Sequence, residues 1–199
     1  MKLRNYKRSI FERSGYIILK KIISKKKISQ IQKAIFNRAK IYLNNKKIFK
    51  SFNDLNFHKD LIKLKKKNPK RFGSFYDSIQ KSLEIYSILT DNKLISEVSS
   101  ITKLKKENLS INGENIRIDI PNDKLHSLNW HQDRSYYFQN RDGNKGLVLW
   151  IPLINITKKI GPLKACAKSH KLGFVSNYQK KTSNRQSSTQ RIVSFDEKK

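Results

Sequence analysis

Hydrophobic positions recur at helical spacing through roughly the first hundred residues and alternate after that. Phe11-Glu12-Arg13-Ser14 reads as a short helix broken at Gly15, since glycine costs a helix backbone entropy, and Tyr16-Ile17-Ile18-Leu19 then predicts a strand. Ser24 is placed to cap a helix whose Ile28, Ile31, Ile35 and Tyr42 share one face, with Lys25, Lys26, Lys27 and Lys33 mostly on the solvated side. Residues 44–74 are so rich in Lys and Asn, with Asn68-Pro69 as a breaker, that they predict a polar, basic loop. Within it Lys63-Leu64-Lys65-Lys66-Lys67 reads as a solvated face rather than a binding patch. Ser78 and Asp91 suit the caps of two more helices, one carrying Ile79, Leu83 and Tyr86, the other Leu94, Ile95, Val98 and Ile101.

From about residue 108 the period shortens to two. Ile116, Ile118 and Ile120 share one strand face, Arg117 and Asp119 take the other, and Pro121 ends the run. Ser127–His131, Gly146–Leu153 and Leu163–Ala167 are further strand candidates, with Gly143 and Gly146 marking a turn. Helices followed by strands predict an α+β chain whose second half is a sheet sandwich or barrel. The expected organisation is one domain over 1–176, helical to about 107 and β from about 108, then a polar, mobile tail over 177–199.

Composition adjusts this picture at three points. The chain has 199 residues, enough for one domain with a substantial core, and a formal net charge of +29. That charge raises nucleic-acid binding as a rival function, through counterion release from phosphates. Yet 34 Lys stand against 10 Arg, with many Ile and Asn, the bias an AT-rich genome would produce, and no nucleic-acid-binding motif is present. A single cysteine, Cys166, excludes an intramolecular disulfide. Neither an apolar signal core nor an apolar run of membrane-spanning length appears, so the expectation is a cytoplasmic protein without a membrane partner.

The chemistry concentrates at Trp130-His131-Gln132-Asp133. On a strand, residues two apart point to the same face, which sets the His131 imidazole beside the Asp133 carboxylate. These are two donors of the 2-His-1-carboxylate set that holds non-haem Fe(II), although a His-x-Asp triplet alone also arises by chance and two ligands cannot choose a metal. Trp130 and the aromatic run Tyr136-Tyr137-Phe138 can form an apolar shell around such a centre. Trp150 on the following apolar strand is either a cavity wall or plain core, and Arg117 either meets a carboxylate or is a surface arginine.

Taken in order, several segments resemble the phytanoyl-CoA dioxygenase family of Fe(II)- and 2-oxoglutarate-dependent oxygenases. They are Trp130-His131-Gln132-Asp133 with Tyr136-Tyr137, then Leu149-Trp150-Ile151-Pro152-Leu153, then Gly161-Pro162-Leu163, and then Ser169-His170-Lys171-Leu172-Gly173. The last is similar to the family's Gly-Ser-His-Lys-x-Gly element with Lys168 in place of the usual glycine, and Gly15-Tyr16-Ile17-Ile18-Leu19 resembles the family's opening strand. The resemblance covers most of residues 10–175. It implies a double-stranded β-helix, a jelly-roll barrel with helices packed outside. It also implies iron ligation by His131 and Asp133, a 2-oxoglutarate pocket lined by Trp150, and Gln132 and Arg134 flanking the ligands toward substrate. The implied reaction hydroxylates a small organic substrate with dioxygen while 2-oxoglutarate is decarboxylated to succinate and CO2.

One part of the family pattern is missing. The family has a distal histidine on a later strand and an arginine for the far carboxylate of 2-oxoglutarate. Here the four histidines are His58, His126, His131 and His170, and none follows the Ser-His-Lys element. Arg185 and Arg191 lack the expected His-x-Ser context and take no role. Three explanations stand side by side: the chain is the N-terminal part of a longer protein with an incomplete barrel, iron binding has been lost, or His170 or a partner chain completes the site. The first leads to an expectation of little or no turnover by these 199 residues. The rival functions are a non-catalytic jelly-roll binding protein with a degenerate metal site, a zinc or cupin-type metal protein, and a basic nucleic-acid binder.

Overall fold

The computed structural model describes residues 2–43, 48–80, 82–111, 116–122, 128–136, 146–181 and 189–193. His126, Ser127, Tyr137, Phe138, Gly143 and Arg185 lie outside the described residues. The chain divides into two compact units, Met1–Arg8 with Ile18–Ile118, and Ser9–Ile17 with Asp119–Lys199. Helix α1 (Lys2–Ser14) contributes its first residues to one and its last to the other. Where the pattern suggested a helix of a few residues, α1 starts at Lys2; the break at Gly15 is observed, with φ +82° and its N–H donating to Phe11 O at 2.7 Å.

The first unit is helical: α2 (Lys25–Tyr42), α3 (Leu55–Lys67), α4 (Pro69–Gln80), α5 (Leu83–Leu89) and α6 (Asn92–Thr102). Ser24 caps α2 by accepting from Lys27 N, and Asp91 caps α6 by accepting from Lys93 N and Leu94 N. Within the basic stretch, residues 48–54 are irregular as expected, but from Leu55 onward it is not a loop, because its lysines surround an apolar stripe of helical period. Phe57 and Leu61 on α3, with Phe72, Phe75 and Ile79 on α4, are all buried. Asp54 accepts from Asn56 N to start α3, and the neighbouring Lys50 and Asn56 N–H groups hold its carboxyl below the ordinary carboxylate range. Asn68-Pro69 does break the chain, but between two helices: Asn68 Oδ1 accepts from Arg71 N at 3.0 Å, and Pro69 takes the first helical position, where no N–H is needed. Ser78 is no cap either. Its hydroxyl donates to Phe75 O inside α4, and Ser82 holds the N-cap position of α5.

Phe57 sits at the centre of this unit, fully buried, with ring centroids of Phe36 at 4.9 Å, Phe49 at 5.8 Å and Phe52 at 6.0 Å. Around it α2 packs on α4 and α5, and α3 on α4. Arg71 Nε donates to Tyr42 O at 2.7 Å, so a cation meets the carbonyl end of α2. Lys7 pairs with Glu97 at 2.7 Å, and Lys27 pairs with Asp91.

The second unit is built differently. Among the described residues it contains one ladder, β1 (Asn177–Lys181) antiparallel to β2 (Thr189–Val193), with Tyr178 opposite Ile192. Helices first and strands afterwards is the order observed, but the barrel is not formed among the described residues. Among the described residues, the segments 116–120, 128–131, 146–153 and 163–167 form no strand ladder, nor do residues 16–19. Alternation states which face a strand would bury, not whether another backbone lies alongside. At Ile116 a side chain fills that place: the Gln80 carboxamide accepts from Ile116 N at 2.9 Å and donates to Ile116 O at 3.0 Å. The stretch from 177, polar enough to suggest a mobile tail, instead carries the ladder, because Ile192 is buried and backbone pairing does not depend on side-chain polarity. Every described buried apolar side chain but Ile192 belongs to the helical unit, so the described residues of the second unit are held mainly by hydrogen bonds.

Candidate metal centre

His131 and Asp133 are brought together by a turn rather than by a strand. Residues 131–132 are irregular, and a 3-10 turn starts at Asp133 and runs to Tyr136, with Ser135 N donating to Gln132 O at 2.9 Å. His131 Nε2 lies 3.4 Å from Asp133 Oδ1. On the far side of the ring, Nδ1 is 2.6 Å from Asn129 O. A carbonyl only accepts, so Nδ1 carries the proton in that bond and the Nε2 lone pair is left facing the carboxylate. The Nε2 and Oδ1 atoms, 3.4 Å apart, are close enough to serve as two donors to one cation. The Tyr136 ring stands edge-on to His131, with centroids 5.9 Å apart.

The turn is pinned from behind by the C-terminal part of the unit. Gln132 Nε2 donates to Gly173 O at 2.8 Å and Gln132 Oε1 accepts from Val175 N at 2.9 Å. Asn177 Nδ2 donates to Ser135 Oγ at 3.3 Å, and Ser135 is buried, 1% exposed. Val193 N, at the end of β2, donates to Trp130 O at 2.9 Å. Gly173, Val175, Asn177 and Val193 therefore brace the turn. Asn129, Gly173, Val175, Asn177 and Val193 act through backbone atoms or an amide, which a search for titratable side chains passes over; the β-branched pair Ile192-Val193 was the available signal.

The other candidates fall into separate places. Gln132 is turned to the backbone at 173–175 by both ends of its carboxamide. Arg134 is half-buried, with its guanidinium carbon 5.9 Å from the Phe174 ring centroid. Trp150 is 47% exposed, which argues against plain core. Arg117 is exposed and belongs to the helical unit. His170 does not complete the site. Its Nε2 donates to Glu12 O at 2.9 Å and its ring lies over Gly15, where any Cβ would collide with Nδ1. Among the described residues no group of three His, Cys, Asp or Glu side chains is placed to share a metal.

An imidazole and a carboxylate side by side, with the imidazole's far nitrogen tied to a backbone carbonyl, supply two of the three donors of the 2-His-1-carboxylate class, and among the described residues no third stands beside them. The chain belongs to the phytanoyl-CoA dioxygenase family, whose profile matches residues 11–198. That family consists generally of oxygenases with a jelly-roll fold that use Fe(II) and 2-oxoglutarate. No curated protein and no solved structure matches the chain. No described helix is long and apolar enough to cross a membrane.

Proposed function

We propose that this chain is a 2-oxoglutarate-dependent oxygenase whose iron is held by His131 Nε2 and Asp133 Oδ1. The observation that carries the reading is the 3.4 Å approach of two acceptor atoms with the imidazole proton fixed on the opposite nitrogen. These two donors fit one ion, since that spacing is within the span of two metal–ligand bonds of about 2.0–2.2 Å each, and a third protein ligand is not among the described residues. When bound, Fe(II) with 2-oxoglutarate and dioxygen supplies the oxidising chemistry, giving succinate, CO2 and a hydroxylated small organic substrate. The protein's part is orientation and shielding. Asn129 O fixes the tautomer with the proton on Nδ1, so that Nε2 is the nitrogen presented beside Asp133, and the Tyr136 ring packs edge-on against the imidazole. Trp150, with 47% of its surface open, is the wall that a bound 2-oxoglutarate would cover. Arg134 beside Phe174 offers a cation for an anionic substrate group, while the occupied carboxamide of Gln132 leaves it a weaker candidate for substrate contact.

Anaerobic titration with Fe(II), or with Co(II) as a spectroscopic stand-in, tests the reading on the parent chain and on His131→Ala. Loss of a ligand should weaken binding by about tenfold or more, since even outer-shell changes cost 10- to 100-fold. Equal binding by the two proteins would remove His131 from the site. Succinate formation from 2-oxoglutarate, measured on the same preparations, then reports whether the bound metal turns over.

A further inference from the structure

We infer that Gln132 is a positioning residue for the candidate centre, acting through a bracket that its carboxamide closes across residues 173–175. The inference rests on the metal reading above for its purpose, but not for its geometry. Gln132 lies between the two donors, and its side chain turns away from them to satisfy one carbonyl and one N–H of the same short segment, at 2.8 Å and 2.9 Å. A carboxamide is the uncharged side chain that offers a donor and an acceptor two bonds apart, so it can replace a neighbouring strand at a single register position. Gln80 does the same at Ile116 in the helical unit.

The acceptor end of the bracket requires a special backbone. Gly173 has φ +69° and ψ −148°, a combination open essentially to glycine alone, and no atom lies within 4 Å of where its Cβ would be. The glycine is therefore needed for the direction of its carbonyl rather than for space. The segment is also anchored further along. Lys168 N donates to Ser14 O at 2.8 Å and His170 Nε2 to Glu12 O at 2.9 Å, which hold the 3-10 turn Ser169–Leu172 against the end of α1. The bracket thus ties the His131–Asp133 turn to a fixed loop. Released, the turn would lose the relation between Asn129 O and His131 Nδ1 that aims Nε2 at Asp133. This also gives the Ser-His-Lys element a role that is mechanical: His170 anchors the loop that Gln132 grips.

The test uses the full chain in three forms, parent, Gln132→Leu and Gln132→Glu, each first checked for unchanged helix content by circular dichroism. In the metal-free protein, exchange of the Val175 amide should rise by about tenfold in Gln132→Leu, the value of one ordinary hydrogen bond. The His131 ring nitrogens, read by NMR, should shift from the Nδ1–H tautomer to a mixture. Gln132→Glu keeps an acceptor for Val175 N but offers Gly173 O no donor, so Val175 should stay protected while the tautomer shifts in part. Co(II) affinity should fall roughly 10- to 100-fold in Gln132→Leu and less in Gln132→Glu, the range of outer-shell effects. Unchanged Val175 exchange in Gln132→Leu would overturn the bracket, and a lost bracket with an unchanged His131 tautomer would overturn the positioning role. A parent that binds no Co(II) would defeat the functional reading instead, leaving Gln132 to be judged by the two metal-free measurements.

Discussion

At the scale of single residues, Lys168 carries a backbone cost that its side-chain chemistry does not reveal. Lys168 stands where the family's Ser-His-Lys element usually has glycine, and it adopts φ +68° and ψ −2°, the left-handed region that costs a residue with a Cβ about 1–2 kcal/mol. Its own N–H is already committed to Ser14 O, so the strain cannot be relieved by letting the residue turn. Lys168→Gly should therefore stabilise the protein by about 1 kcal/mol, reduced by the greater freedom of glycine in the unfolded chain. The expected readout is a melting temperature raised by about 2–4 °C. A lower melting temperature would mean that the lysine side chain contributes more than its backbone costs.

At the scale of elements, caps and ion pairs set where the helices start. Asp91 accepts the first free N–H groups of α6 and also meets the Lys27 ammonium from α2. Lys27 first, then the N–H groups of Leu94 and Lys93, hold the Asp91 carboxyl below its ordinary value. A carboxyl lowered in the folded state adds stability above its unfolded pKa of about 3.9, and loses it as the pH falls through the lower folded value. Asp91→Asn preserves the cap and removes the ion pair, so urea denaturation at pH 7 should show a loss of up to about 1 kcal/mol that closes toward zero as the pH falls through the lowered folded value. A difference independent of pH would assign the effect to packing instead. Asp91 was legible as a cap because a carboxylate followed by an apolar helical stripe is a local signal. The Phe57–Leu61 and Phe72–Ile79 stripes were equally local but were hidden by the lysines between them. Strands were harder. Ile116–Ile120 alternates correctly yet forms no ladder among the described residues, since pairing depends on a distant backbone, while Asn177–Lys181 pairs with Thr189–Val193 although the sequence there is polar. The His131–Asp133 pair was visible because its spacing puts the two groups together in a turn as well as in a strand. Its supports at Gly173, Val175 and Val193 were not, because backbone groups carry no residue signature.

At the scale of the whole chain, the excess of positive charge competes with the few ion pairs that it can form. The sequence has 44 basic and 15 acidic residues, so 29 cations remain uncompensated even if every acid is paired. Self-repulsion of that size weakens the folded state, which holds the charges closer together than the unfolded chain does. Salt acts on both sides of the balance. It screens the repulsion, shortening the Debye length from about 30 Å at 0.01 M to about 8 Å at 0.15 M, and it weakens pairs such as Lys7–Glu97 and Lys27–Asp91. Each partly exposed pair contributes only about 0.2–1 kcal/mol, whereas the repulsion acts between many cations over distances within the low-salt Debye length. Screening should therefore dominate, and the melting temperature should rise by several degrees between about 0.01 M and 0.15 M sodium chloride, most of the rise coming at the low end. Sodium sulfate at matched ionic strength separates screening from surface exclusion: an equal rise supports the charge argument, and a much larger one would point to strengthened burial of the second unit's exposed Val148, Leu149, Leu163 and Phe174. A melting temperature that falls with added chloride would show that ion pairing outweighs repulsion in this protein.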